Sequence, residues 1–374
     1  MAQAQFWLSD GTMVGSRYKL EKVLGKGGYG ITYKGFDTRL EQPVAVKEYY
    51  PVFWCSRFVE KGPKVNVNQG MEADYCKGMD RFRDEALTLA QLGGISSVVR
   101  VTDFFEENGT AYLIMEYLNG KNLKEMLDGF GGRIPANVLI PVLSPVLVSL
   151  RKVHEKGLIH RDLSPDNIMM LEDGSVRLID FGNARDATDN KSMTLAMKEG
   201  FAAPEQYRSK GQGSYTDVYG LCATIYYCLT GKLPPQAMER LMGAPFPKPS
   251  ELGVQISDWQ EQAIMDGLDL YIQRRIQTMG ELWQRLYVAP VPQPAPQPAA
   301  YSTPRNAAHS VPQPAVYSAP QSAPPASQPV PVQQVQPVAP EAHTGYDNAV
   351  DSLADGLQQL KNVCANIFRR IKEW

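Results

Sequence analysis

The residues best suited to chemistry are the run His160-Arg161-Asp162-Leu163-Ser164-Pro165-Asp166-Asn167, followed by Asp180-Phe181-Gly182 and then Ala203-Pro204-Glu205. In-line transfer of a phosphoryl group needs a carboxylate to accept a proton from the attacking hydroxyl. It also needs oxygen ligands for metal ions that bridge the phosphates. Asp162 suits the first role, Asn167 and Asp180 suit the second, and the three occur in that order. Upstream, Gly25-Lys26-Gly27-Gly28-Tyr29-Gly30 fits G-x-G-x-x-G, a weak pattern that an ordinary glycine-rich hairpin shares. Its context narrows the reading. The following Ile31-Thr32-Tyr33-Lys34-Gly35-Phe36 is β-branched and aromatic, so the loop joins two strands, whereas a dinucleotide site would put a helix there. Glycines in such a loop let backbone N–H groups close over phosphates with no Cβ in the way. One strand later Val44-Ala45-Val46-Lys47 ends in a lysine placed to pair with phosphates. Glu85, in the helical stretch that begins at Arg81, is the candidate to orient Lys47 by an ion pair.

These residues need a scaffold of two kinds. Strand-like patterns come first, at Tyr18 to Leu24, Ile31 to Phe36 and Pro43 to Tyr49. Helix-length apolar periods follow, at Asn137 to Lys156, Thr216 to Leu229 and Trp259 to Leu268. Strands first and helices afterwards predict an α+β protein with a small sheet-rich lobe and a larger helical one. At 374 residues the chain is long enough for one large domain with appendages. Its 38 basic and 40 acidic side chains leave a net charge of −2, so bulk charge gives no reason to expect nucleic acid as a partner. Five cysteines, Cys55, Cys76, Cys222, Cys228 and Cys364, lack the close pairing of a zinc site or disulfide framework and read as thiols in a reducing compartment. The N-terminus has no basic region followed by an apolar core, and the longest apolar stretch, Val138 to Leu150, is interrupted by Pro141 and Pro145. The expectation is a cytoplasmic protein with no transmembrane segment.

From Val288 to Pro340 the composition changes: this segment holds 15 of the 28 prolines and one charged residue, Arg305. It cannot bury enough apolar surface to offset its ordering entropy, so 288–345 is expected to be a disordered, semi-extended linker. Within it PQPAAYSTP (296–304) and PQPAVYSAP (312–320) are near-repeats, either a duplicated spacer or a docking or modification site built on Tyr301, Thr303 and Tyr317 or on the PxxP of 337–340. Beyond it, Val350, Leu353, Leu357, Leu360, Cys364, Ile367, Ile371 and Trp374 alternate three and four apart. Acids at the start and bases at the end suit a helix dipole, so 346–374 reads as an amphipathic helix despite Gly356. Three uses fit it: packing on the preceding domain, dimerisation through a short coiled coil, or peripheral membrane contact.

Taken together, the glycine loop, VAVK, HRDLSPDN, DFG and APE resemble the Hanks-type protein kinases, and GGYGITY, VAVKEYYP, HRDLSPDNIM and APEQY resemble the bacterial Ser/Thr branch. The resemblance covers 18–287, which implies a bilobal fold with an N-lobe at 18–117, a C-lobe at 118–287 and an extension at 1–17. It implies ATP held by Leu24, Gly25, Lys26, Gly27, Gly28, Tyr29, Gly30, Thr32, Ala45 and Lys47, with Met115 at the back of the adenine pocket and Glu116 to Leu118 as the hinge. By the same resemblance Asp162 is the base, Asn167 and Asp180 bind Mg²⁺, Asp217 braces the catalytic loop, Glu205 pairs with Arg275, and the substrate is a protein Ser or Thr hydroxyl. Autophosphorylation is expected in the segment holding Thr188, Ser192 and Thr194, with Thr194 best placed relative to Glu205 and Arg161 positioned to pair with the phosphate. A scaffold using the fold without catalysis would be marked by loss of one of Lys47, Glu85, Asp162, Asn167 or Asp180, and none is lost. A small-molecule phosphotransferase fits poorly with Arg161 after His160 and with the APE segment.

Several positions depart from the family pattern. Thr32 replaces a valine, Lys47 and Glu85 lie 38 residues apart, which implies an insertion around 53–77, and Pro141 and Pro145 imply a kinked or late-starting helix. Most consequential, the family's lysine two positions after the catalytic aspartate is Ser164. Near the end of the activation segment, where the family has a hydroxyl residue, stands Lys198. The cation and the hydroxyl are exchanged between the two positions, so Lys198 is expected to enter the site as a catalytic residue, with Ser164 bonding near Asp162.

Overall fold

The structure is a computed structural model that describes residues 6–182, 184–186, 198–208 and 211–290. The activation-segment hydroxyls Thr188, Ser192 and Thr194, nearly all of the proline-rich segment, the C-terminal apolar repeat and Cys364 lie outside the described residues.

The small lobe follows from period-two alternation. Strands β1 (Met13–Val14), β2 (Tyr18–Lys26), β3 (Gly30–Asp37) and β4 (Gln42–Tyr49) are followed by a two-residue ribbon, β5 (Cys55–Ser56) with β6 (Asn66–Val67). Helix α1 (Glu72–Gln91) and strands β7 (Val101–Glu107) and β8 (Thr110–Glu116) complete it. The sheet runs β1-β2-β3-β4-β8-β7 with every neighbour antiparallel. In β3 alternate residues Ile31, Tyr33, Gly35 and Asp37 are buried, as expected for a strand with one face on a core. Residues 6–17, set apart as an extension by the sequence, are built into this lobe: β1 pairs with β2, Leu8 and Val14 are buried, and Phe6 stacks on Tyr50 with ring centroids 5.4 Å apart.

Helix α1 begins nine residues ahead of the Arg81 start read from the sequence, so Glu72 to Lys77 belong to the helix and not to the insertion. Acidic Glu72 and Asp74 occupy its first turn, where the helix dipole favours them. Its buried stripe is Tyr75, Phe82, Glu85, Ala86 and Leu89. A glutamate in that company needs a partner. The insertion is anchored by a buried ion pair between Arg57 and Glu48, whose carboxylate also accepts from Tyr33 (2.8 Å) and Tyr112 (3.1 Å). Such a pair recovers its desolvation cost only when the remaining lone pairs are satisfied, as they are here.

The large lobe contains β9 (Gly120–Asn122), α2 (Leu123–Gly129), α3 (Ala136–Glu155), β10 (Leu158–Ile159), β11 (Ile168–Leu171), β12 (Val176–Leu178) and β13 (Arg185–Asp186). After them come α4 (Ser214–Thr230), α5 (Ala237–Leu241), α6 (Asp258–Gly267) and α7 (Met279–Tyr287). Short sheets β12-β11-β9 and β10-β13 frame the loops that carry the chemistry. Asn122 caps α2, accepting from the Glu125 amide at 2.8 Å while Glu125 accepts from the Asn122 amide at 2.9 Å. Helix α3 starts at Ala136, ahead of both prolines, so it does not start late. Each interior proline costs about 3 kcal/mol. Nine buried Val, Leu and Ile side chains along α3 offset this, since a large apolar side chain contributes roughly 1.5 to 3 kcal/mol on burial. Among the described residues α3 is also the one helix long and apolar enough to cross a membrane, and 67% of its apolar window is buried inside the fold.

Candidate active site

Lys47, on β4, is placed by the ladders on either side: it lies opposite Thr32 of β3 and Leu113 of β8. Its Nζ donates to Glu85 Oε1 at 2.7 Å and to Asp180 Oδ1 at 3.2 Å. Three residues far apart in sequence thus meet at one ammonium group, one each from the sheet, from α1 and from the loop after β12. Burial works against the charge on Lys47, but Asp180 and Glu85 outweigh it and hold its pKa above the ordinary lysine value. Burial raises the pKa of Glu85, with Lys47 opposing the shift. Lys47 is also the main cause of the lowered pKa of Asp180, a half-exposed group whose Oδ1 accepts a further bond from the Gly182 amide at 3.3 Å.

The glycine loop is a tight hairpin. Pairing of β2 with β3 continues to Lys26 opposite Ile31, and the Gly27 amide donates to Gly30 O at 2.9 Å. A Cβ at Gly30 would come within 2.8 Å of Glu48 O, so only glycine lets β3 lie this close to β4. At Gly25 and Gly28 a Cβ would meet nothing within 4 Å. The hairpin therefore leaves open space against its backbone, as a phosphate cradle must. Ala45 is opposite Met115, and Glu116 to Leu118 are half-buried where β8 leaves the sheet. Leu24, on β2 next to the glycine loop, is exposed at 44%.

The catalytic loop, 160–167, is held from below by α4. Buried Asp217 accepts from the His160 amide (2.8 Å), the Arg161 amide (2.8 Å) and His154 Nε2 (2.7 Å). Burial opposes its charge, but those bonds and nearby histidines hold its pKa below the ordinary aspartate value. Gly220, one turn on, lets Leu163 approach: a Cβ there would lie 3.3 Å from Leu163 Cβ. Arg161 and Asp180 both adopt positive φ, 66° and 64°. For non-glycine residues this is uncommon and persists where surrounding bonds over-determine it, often at functional sites. Asn167 Nδ2 donates to Asp162 O at 2.8 Å, which leaves the amide oxygen free of that bond. Glu205 pairs with Arg275 at 2.6 Å, both buried, behind the segment that follows.

Lys198 reaches this loop. Its Nζ donates to Ser164 Oγ at 2.7 Å and to Asp166 Oδ2 at 3.2 Å. Ser164 is fully buried, and its hydroxyl oxygen accepts from the lysine. Asp166 lies 3.8 Å from Lys124 as well. Two bracing residues escaped the sequence reading. Gln206 accepts from the Ala203 amide and donates to Arg161 O, both at 2.9 Å, tying the APE segment to the catalytic loop. His154, at the end of α3, reads in the sequence only as part of a helix. For Gln206 the adjacent Glu205 was the available hint; for His154 there was none.

The Asn167 and Asp180 oxygens are hard donors of the kind Mg²⁺ takes one or two at a time, with phosphates and water completing its shell. Among the described residues no cluster of three or more His, Cys, Asp or Glu could hold a metal without such help.

A curled antiparallel sheet over a helical lobe, with a part-buried lysine ion-paired to Glu85 of its own lobe and to Asp180 across the cleft, and a braced HRD loop below, defines a bilobal protein kinase fold. The chain belongs to the protein kinase domain family, whose model matches residues 18–245. It is 32% identical over 231 residues to serine/threonine-protein kinase PknL of Mycobacterium bovis, covering 60% of this chain and 52% of that one. It is also 32% identical over 234 residues to the probable serine/threonine-protein kinase PknB of Corynebacterium glutamicum, covering 59% and 32%. A solved structure, the apo form of PpkA-294, superposes with a TM-score of 0.68 at 28% identity, covering 75% of this chain and all of that one. The chain spans about half the length of the first of these relatives, or less.

Proposed function

We propose that this chain is a serine/threonine protein kinase that transfers the γ-phosphoryl group of ATP, with Mg²⁺, to protein hydroxyls, its own activation segment among them, inside the cell. The observation that carries the reading is the pairing of Lys47 with Glu85 and Asp180, because it joins both lobes at one point beside the phosphate loop. Lys47 would hold the ATP phosphates, and Asn167 and Asp180 would hold the metal, which supplies neutralising charge to the phosphates. Asp162 would accept the proton as the substrate oxygen bonds to phosphorus and the bond to the ADP oxygen breaks. Lys198, at the catalytic loop through Ser164, would offer positive charge to the transferring group. The names of the relatives support Ser and Thr as acceptors. Nothing in the catalytic set favours a non-catalytic scaffold, since all five residues that such a scaffold would be free to lose are present.

The test is transfer of labelled phosphate from ATP to a general protein substrate, with Asp162→Asn as control. Transfer by the natural chain and loss of at least about 10²-fold in the variant are expected, the usual contribution of a general base. No transfer by the natural chain, or equal transfer by both, overturns the reading.

A further inference from the structure

The insertion after β4 has no place in the mechanism, yet it touches the glycine loop. Immediately after Lys47, Glu48 and Tyr49 the chain turns at Pro51, whose carbonyl accepts from the Trp54 amide (2.9 Å) and the Cys55 amide (3.1 Å). Two backbone bonds run from this turn to the loop: Tyr50 N–H to Tyr29 O at 3.0 Å and Val52 N–H to Gly28 O at 3.1 Å. The side chain of Trp54 meets Tyr29 at the tip of the loop edge to face, with centroids 5.6 Å apart and planes at 68°.

The other side of Trp54 faces α1. A Cβ added at Gly78 would come 3.0 Å from Trp54 Cζ3 and 2.1 Å from the Tyr49 hydroxyl. Glycine at this helical position, which intrinsic preference disfavours, admits the two rings. Tyr49 donates to Tyr75 O of α1 at 3.0 Å, and Trp54 O accepts from Asn68 N at 2.8 Å just ahead of the helix. Gly78 lies seven residues, two turns, before Glu85 on the same helix. Trp54 is therefore wedged between the loop that covers the phosphates and the helix that carries the partner of Lys47.

We propose that Trp54 is a positioning residue that couples the glycine loop to α1, so that the loop is held over the nucleotide when α1 sits where Glu85 reaches Lys47. This rests on the kinase reading above and assigns the insertion a part in it. The physical ground is preorganisation. A loop with glycine at Gly25, Gly27, Gly28 and Gly30 loses much conformational freedom on closing over a ligand, and a brace formed beforehand lowers that cost. The brace acts on nucleotide binding and leaves the chemical step, at Asp162 in the other lobe, largely alone.

The test measures KM for ATP, kcat, the Kd of a non-hydrolysable ATP analogue and thermal unfolding for Trp54→Ala, Trp54→Phe, Tyr29→Ala and the double alanine variant. An edge-to-face pair shifts an equilibrium by roughly two- to tenfold. Trp54→Ala is expected to raise KM and the analogue Kd about fivefold with kcat within about twofold. Trp54→Phe, which keeps a ring at the contact, should recover most of that loss. The double variant should be no weaker than the worse single variant, because one contact cannot be lost twice. Unchanged KM and Kd in Trp54→Ala, additive effects in the double variant, or a drop in kcat alone overturns the coupling. If Trp54→Ala does not fold, Trp54→Phe must bind better than Tyr29→Ala, whose ring is exposed and dispensable to the core; equal or weaker binding overturns it. The analogue Kd separates the two proposals: a chain that binds the analogue through the brace but transfers no phosphate refutes the kinase reading and leaves the brace standing.

Discussion

Replacing Lys198 by methionine removes the cation and keeps the length of the side chain, which isolates the charge. Two unit charges 4 Å apart interact by about 4 kcal/mol at an effective dielectric of 20 and by about 1 kcal/mol in water. The Lys198 side chain is 36% exposed and shares its charge with Asp166, so a value between those limits applies. Loss of a single electrostatic contact to a transition state commonly costs about 10² to 10³ in rate. Partial exposure places Lys198 at the lower end, and about 10² corresponds to roughly 2.7 kcal/mol of barrier.

The assay is steady-state transfer of labelled phosphate, with analogue binding and thermal unfolding to show that each variant is folded. Lys198→Met is expected to lower kcat about 10²-fold with little change in KM for ATP, because the charge acts on the developing transition state and not on the bound nucleotide. Ser164→Lys alone puts two cations in one place beside Asp166 and should also be slow. The exchange Ser164→Lys with Lys198→Thr returns one cation and one hydroxyl to the site and should recover at least about tenfold over Lys198→Met, a non-additivity expected only of residues acting together. Full activity in Lys198→Met, or a double variant no faster than the single, would refute the reasoning.

Two other outcomes are expected. Thr194→Ala should lower activity and remove a site from the phosphopeptide map of the protein after incubation with ATP, since a phosphate brings about −1.5 to −2 charge that an arginine can pair with; unchanged activity and an unchanged map would exclude Thr194. Asp217, with a folded-state pKa below the 3.8 of a free aspartate, contributes stability that is present above the unfolded value and is lost as pH falls through the folded one. Asp217→Asn should therefore lower the unfolding temperature at pH 7 and flatten its dependence on pH below about 4, and an acid limb as steep as that of the natural chain would refute this.

Much of the architecture was legible because it is written locally. The alternation through 31–36 and 43–49 gave β3 and β4 to within two residues, and the apolar period at 137–156 gave α3, with its start corrected by one. The sequence reading places the helix start at Arg81, whereas α1 begins at Glu72 and carries Gly78, which lowers local helix preference, in its first half. Tertiary burial of Tyr75 and Phe82 against the sheet overrides that local preference. Residues 6–17 lie ahead of the stretch that carries the resemblance, 18–287, and the burial of Leu8 and Val14 depends on the sheet they meet.

Within the site, legibility followed how far a role depends on residue type. A carboxylate, an amide and a lysine in a fixed order can be read from a line of letters because the chemistry demands those groups. The hydroxyl at 164 and the cation at 198 stand out in the sequence for the same reason, and the 2.7 Å bond joins the two positions. Braces carry no such demand. Gln206 at Arg161 O and Trp54 between Tyr29 and Gly78 act by shape and by the placement of one donor, which many side chains could supply. Chemistry constrains their positions through the residues they hold and not through their own type, so they become visible only when the fold brings both ends of the contact together.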